Sequence, residues 1–354
     1  MISRALLAGV VALTGTSSAN TAVLSLAGPV SELAADGGRV AILVRTKTGS
    51  CARDRVAVWA PGTRSFVPIG ASACVGSTST GAGLFGVALA GTRVAYVQFA
   101  GANTRELQLR LATLTRPRAV TVASASYGVD QQQGTYIGRV AGAGSLLAFD
   151  WWSECAPCAQ ATPVAPPSSV FRVVSSGGSA CPNAGLGALP RCRPVATVAG
   201  SLRLLAVGGG LVVTRAGDDV EARSVDGTIV WSGTFPGLVT ARIDGHLLVV
   251  LVHSGTQNSL WAVDVSTGVR SGPWNLPSSA ALRLEDYRAG IAVYVVGRAV
   301  HLLRLAGGPN VTIRAPGPGP VHAQLVPSGL FYSYRAATSP GRGRVAFVPM
   351  SGLG

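Results

Sequence analysis

Lysine is almost absent from this chain. Lys47 is the single example among 29 lysine and arginine residues in a total of 354, so the net charge of +14 rests on arginine. No basic helix and no stripe of arginines interleaved with aromatics accompanies that charge, which argues against nucleic acid as a partner. The charge would still favour peripheral contact with an anionic envelope surface through long-range attraction. Charged residues of both signs are scarce, at 12% against 48% hydrophobic, and this balance excludes a disordered tail. Helical spacing of apolar residues is missing from the unit at residues 240–274 described below. Histidine is limited to His246, His253, His301 and His322. None is spaced with another His or a Cys as a ligand pair, so no metal is expected and structural roles are. No Gly-x-Ser-x-Gly elbow is present, and Asp218, Asp219 and Glu221 lack the rest of a calcium loop. Gly208, Gly209 and Gly210 join two expected strands, which argues against a phosphate cradle.

The start of the chain reads as an export signal over residues 1–19, with the mature domain spanning 20–354. Arg4 charges the first segment, residues 5–13 are apolar, and Ser17 and Ala19 place small residues at a cleavage site. An uncleaved anchor is the competing reading, but the apolar run falls well short of the ~20 residues a spanning helix requires. The expected location is therefore secreted, or periplasmic and associated with the cell envelope. Six cysteines, an even number, suit that oxidising compartment. Cys155 and Cys158 form a CxxC, yet they lie in a loop rich in Pro and Ala, without the strand and helix of a redox site or the second pair of a zinc site.

What the chain does have is a repeat. Residues 240–274 read as one complete four-stranded β-unit: a short strand, a turn at Asp244, Gly245 and His246, an apolar strand from Leu247, an alternating strand from Leu260, a turn at Gly268 and an outer strand ending at Trp274. The short strand, Gly-containing turn and apolar run recur, with the apolar second strands beginning at Val40, Val94, Leu146, Leu211, Leu247, Ile291 and Leu330. Intervals of mostly ~40 to 55 residues fit one propeller blade. The expectation is an all-β, seven-bladed β-propeller of four-stranded antiparallel blades in a single domain. The last unit lacks room for a fourth strand, and Val23, Leu24, Ser25 and Leu26 are left over at the other end. These residues are expected to supply that outer strand and close the last blade.

Leu260-Trp261-Ala262-Val263-Asp264-Val265-Ser266-Thr267-Gly268, with Trp274 beyond, resembles the repeat of quinoprotein-like (PQQ-like) β-propellers, as does the stretch from Val225 to Trp231. Other units resemble WD40-like propeller repeats only in general form. The family's docking pattern puts its Trp four residues after the Gly; Trp231 fits and Trp274 comes two residues late. The resemblance implies that these tryptophans pack blades together. Catalytic members typically have eight blades, a calcium-bound cofactor and a placed Asp and Glu; none of these can be located here, and no cofactor is expected.

In a propeller, the connections from second to third strand and from one blade to the next emerge on one face. Length is invested there at residues 76–86, 128–135 and 153–168, all in the first three blades. The same topology favours the disulfides Cys51–Cys74, Cys155–Cys158 and Cys181–Cys192 among the fifteen possible connectivities. On that face Tyr127, Asp130, Gln131, Gln132, Gln133 and Tyr136 lie near Asp150, Trp151, Trp152 and Glu154. Rings beside amides and carboxylates suit a sugar or peptide ligand, while blade packing and a solvated loop are the simpler account. The function expected is that of a monomeric, noncatalytic binding scaffold for a protein or cell-envelope polymer, engaged through this face. The alternatives are a quinoprotein-like oxidoreductase or a propeller hydrolase or lyase acting on glycans or peptides, and a structural envelope protein held by its basic surface. Polar side chains converging in the central channel would weigh against a pure scaffold.

Overall fold

The computed structural model describes residues 21–48, 51–63, 66–75, 81–130, 133–154, 167–183 and 191–353. Among them, strands form five four-stranded sheets and one eight-stranded sheet, every pairing antiparallel. Among the described residues the one helical element is a 3₁₀ turn over Met350–Gly352. No helix among the described residues is long and apolar enough to cross a membrane. The expected signal segment, residues 1–19, lies outside the described residues.

The unit that reads most clearly in sequence shows why the strands form. Leu247–Ser254 is buried on both faces, with Leu248 to Leu251 at most 1% exposed, because a neighbouring sheet covers each side. Gln257–Asp264 alternates, and Arg270–Leu276 is largely exposed. Apolar content thus falls from the middle of the sheet to its rim. Gly245 supplies the positive φ of 60° that the first turn requires. Trp231 packs in the cluster shared by its own sheet and the next, and Trp274 does the same one sheet further on.

The N-terminal strand Ala22–Leu26 pairs with Ser339–Pro349, Leu24 opposite Val345, and so becomes the outer strand of the last sheet. Leu24 and Leu26 are buried beneath it. Cys51–Cys74 and Cys181–Cys192 are both disulfides. Cys155 and Cys158 lie outside the described residues.

One connection differs from the sequence reading. Residues 128–135 are not a long loop: Arg116–Gly128 and Gln133–Ala143 pair directly, Gly128 with Gln133 and Tyr127 with Gly134, which fuses two four-stranded units into the eight-stranded sheet. Gly134 permits it. Its φ is 131°, and a Cβ there would lie 2.2 Å from the Ser126 carbonyl oxygen.

The innermost strands contact one another in sequence: Val30–Asp36, Gly83–Ala90, Gln133–Ala143, Arg203–Gly208, Leu238–Asp244, Arg283–Arg288 and Ala323–Val326, the last returning to the first. In all but the last, the pairing register slips by one residue partway along. Each slip is a β-bulge, which turns the local side chains away from the regular alternation. These strands line the site.

Candidate functional site

The aromatic residues singled out in sequence form a stack. Tyr127 and Tyr136 lie 4.4 Å apart at 25°, Tyr136 and Trp152 lie 5.2 Å apart at 11°, and the Arg203 guanidinium sits 3.7 Å above the Trp152 ring. Arg105 closes the other end, 6.0 Å from Tyr127 and 5.1 Å from Phe99. The stack follows from the fused sheet, because Arg105 is opposite Tyr127 and Tyr136 opposite Trp152 on adjacent strands. Both faces of Tyr136 and of Trp152 are thereby covered, so a ligand would meet ring edges there. Glu154 accepts the Trp152 Nε1–H at 2.7 Å and lies 4.0 Å from Arg203.

Asp150 is 1% exposed and turned inward. Its Oδ1 accepts the Arg139 backbone N–H at 2.6 Å and its Oδ2 that of Leu204 at 3.0 Å, joining two sheets. Burial raises its pKa, opposed by those two N–H groups. Trp151 packs into the core of the eight-stranded sheet. Asp130 and Glu154 are exposed and Gln133 is half-buried, while Gln131 and Gln132 lie outside the described residues.

A second group of residues, which the sequence reading did not select, converges on the axis. The innermost strands surround a cavity of about 630 Å³ whose lining includes Glu32, Arg139, Arg242, Glu285, Asp286, His322 and Gln324, together with Asp36, Asp244 and Arg288. Glu32, Arg139 and Glu285 stand at the bulges of their strands. The legible signal is a charged residue inside an otherwise apolar first strand, as in Ile137-Gly138-Arg139-Val140 and Ala241-Arg242-Ile243. Without the bulges, period-2 counting assigns such residues to the wrong face.

Several of these groups hold one another. Glu285 Oε1 accepts Arg283 Nε at 2.9 Å, and its Oε2 lies 3.7 Å from His322 Nδ1. Arg242 donates from Nε to the Glu285 carbonyl at 2.8 Å and from Nη1 to the Ala241 carbonyl at 2.8 Å and Thr240 Oγ1 at 3.0 Å. Burial acts to raise the Glu285 carboxyl, but His322, Arg283 and Arg242 together outweigh it and hold the group below the ordinary glutamate range. Burial lifts Glu32, and lifts Asp286 to about 6. It also lowers Arg242. Arg139 is brought down to about 9 by burial and by the charge of Arg242, against the pull of Asp150, Glu285 and Glu32. Among the described residues no three or more His, Cys, Asp or Glu are grouped to hold a metal ion.

No family model matches the chain, and no curated protein matches it. Solved structures do. An oligogalacturonate lyase in complex with manganese superposes with a TM-score of 0.55 at 12% identity, covering 93% of this chain and 91% of that one. The β-propeller domain of the trilobed protease from Pyrococcus furiosus gives 0.55 at 9%, covering 92% and 94%. The Pyrococcus horikoshii acylaminoacyl peptidase gives 0.53 at 10%, covering 88% of this chain and 50% of that one. The chain therefore has a β-propeller fold. At these identities the likeness extends to architecture alone, and among these structures are propellers of enzymes.

Proposed function

We propose that this chain is an exported, seven-bladed β-propeller, closed by its N-terminal strand, that binds a small ligand in its axial cavity without altering it. The seven units are the five four-stranded sheets and the two halves of the eight-stranded one. The two disulfides support an oxidising destination. The observation that carries the reading is Arg139: its guanidinium lines the cavity with no hydrogen bond or ion pair among the described residues. A charge held in that way costs stability unless something arrives to pair with it. Structural ion networks normally close on themselves; this one does not. The loop-rich face of the first three units, with Asp130, Gln133 and Glu154, is left to engage a protein or envelope-polymer partner, and the protein acts as a monomer.

A second reading, an enzyme acting on glycans or peptides, is favoured by one contact. His322 lines the same cavity beside Glu285, and its Nε2 is buried with no hydrogen-bond partner, an arrangement also suited to a general base. Native mass spectrometry after incubation with the small-molecule fraction of the surrounding medium separates the two. The binding reading expects a molecule retained by the protein, released unchanged, and lost in an Arg139→Glu variant. A released molecule of altered mass would make the protein an enzyme, and retention by the variant would move the site elsewhere.

A further inference from the structure

The chemistry of the cavity's occupant can be read from which hydrogen-bonding groups around it are already used. Every carboxylate lining the cavity already accepts a hydrogen bond or faces a cation. Glu32 accepts Val87 N at 2.8 Å, Asp36 accepts Gly91 N at 2.6 Å and Gly144 N at 3.0 Å, and Asp244 accepts Ala289 N at 2.9 Å. Asp286 accepts Leu325 N at 2.7 Å and Tyr287 N at 2.8 Å, while Glu285 is held by Arg283 and His322. On the basic side the count differs. Arg288 is used, with Nε on the Leu325 carbonyl at 3.0 Å and Nη1 3.8 Å from Asp244. Arg242 spends Nε and Nη1 on backbone and Thr240. Arg139 spends nothing, and His322 Nε2 is buried without a partner.

Among the charged side chains lining this space, the one that makes no bond at all is therefore a donor, the Arg139 guanidinium. A guanidinium presents paired N–H groups in a planar fork that matches a carboxylate bidentately. Five carboxylates against three guanidiniums along the lining give no general attraction for anions. A ligand of high negative charge would be repelled at range, whereas a single carboxylate on an otherwise neutral body meets the local need without that cost. Resting on the binding reading above, we infer that the axial cavity takes a monocarboxylate small molecule, its carboxylate on Arg139 with Arg242 and His322 beside it.

Matched probe pairs test this: D-glucuronate against D-glucose, and N-acetylglycine against N-acetylglycinamide, titrated calorimetrically at low ionic strength. The expected result is saturable binding of at least one carboxylate, with its neutral counterpart weaker by roughly 10- to 100-fold, the worth of charge-assisted hydrogen bonds. Arg139→Gln should lose that preference while unfolding at the same temperature as the wild type or higher, since the native side chain has no partner to forfeit. Arg139→Lys should recover only part of the affinity, lacking the fork. Equal binding of a carboxylate and its neutral partner would overturn the carboxylate assignment and leave the binding reading standing. No binding by either pair would overturn the carboxylate assignment, with the binding reading decided by the mass-spectrometric test above, and an Arg139→Gln protein that unfolds well below the wild type would show that Arg139 is structural.

Discussion

The Asp286 carboxylate accepts the backbone N–H of Leu325 at 2.7 Å and so ties the innermost strand of one sheet to that of the next. Innermost strands are tied in the same way from Glu32 to Val87, Asp36 to Gly91 and Asp244 to Ala289, while Asp54 and Asp150 reach Leu84 and Leu204 of the next sheet from a third and a second strand. Val87 and Arg139 lie at bulges, where the ladder leaves an N–H unpaired, and a carboxylate supplies the missing acceptor. With only 15 Asp and Glu in the chain, this use of acids leaves the Arg139 guanidinium at the axis without a partner.

Burial sets a pH dependence at Asp286, opposed by the hydrogen bond from Leu325. Burial raises its folded-state pKa to about 6, against the neighbouring charges of Arg288 and Arg242, while the unfolded carboxyl titrates near 3.8. Between those values the folded state binds the extra proton, so this group's contribution is fully present below about pH 4 and is lost as pH rises through about 6. Its size is roughly 3 kcal/mol, from about two pKa units. Denaturant unfolding across that window should show a smaller fall in stability with rising pH for Asp286→Asn than for the wild type. Parallel curves would refute the assignment.

Arg139 has the opposite sense. Its folded-state pKa is depressed to about 9 in the company of Arg242, Asp150, Glu285 and Glu32. Below that value folded and unfolded chains are both charged and the burial penalty stands. Above it the folded protein releases the proton first, and stability recovers. Arg139→Met should therefore be more stable than the wild type at neutral pH, by about 1 kcal/mol or more. The gap should narrow as pH climbs past 9. Thermal unfolding at pH 7 and pH 10 checks both statements, and a variant less stable at pH 7 would contradict them.

The N-terminal strand should be indispensable to the last sheet. Leu24 is 6% exposed in a cluster with Val40, Ile42, Trp59 and Phe331. Leu24→Ala should cost about 2–5 kcal/mol, the usual loss for a buried leucine. Deleting residues 22–26 should expose the edge of Ser339–Pro349 and promote association through it. Chemical denaturation and size-exclusion chromatography read these outcomes; a deletion variant that stays monomeric and fully stable would show the strand to be dispensable.

Much of the scaffold was legible in the residues. The apolar second strands begin within one residue of Val40, Val94, Leu146, Leu211, Leu247, Ile291 and Leu330, because burial on both faces leaves a run that no other element produces. The pairing of Ala22–Leu26 with the last sheet followed from a missing strand at one end and a spare one at the other. Two cysteine pairs followed from which turns share a face. The aromatic group was found, but its arrangement was not: residues 128–135 read as loop, whereas Gly134 lets two units run into one sheet and turns the rings face to face.

By itself the sequence determined the repeat, the strand order and the closing strand, since these depend on local periodicity and on counting. Only the tertiary structure decided which charged side chains meet at the axis. Glu32, Arg139 and Glu285 come from three separate sheets and His322 from the residue before the first strand of a fourth, and the first three reach the cavity through one-residue bulges that no alternation pattern encodes. Whether a carboxylate is satisfied or an arginine stranded depends on backbone N–H groups belonging to the neighbouring sheet, and that is a property of packing around the axis.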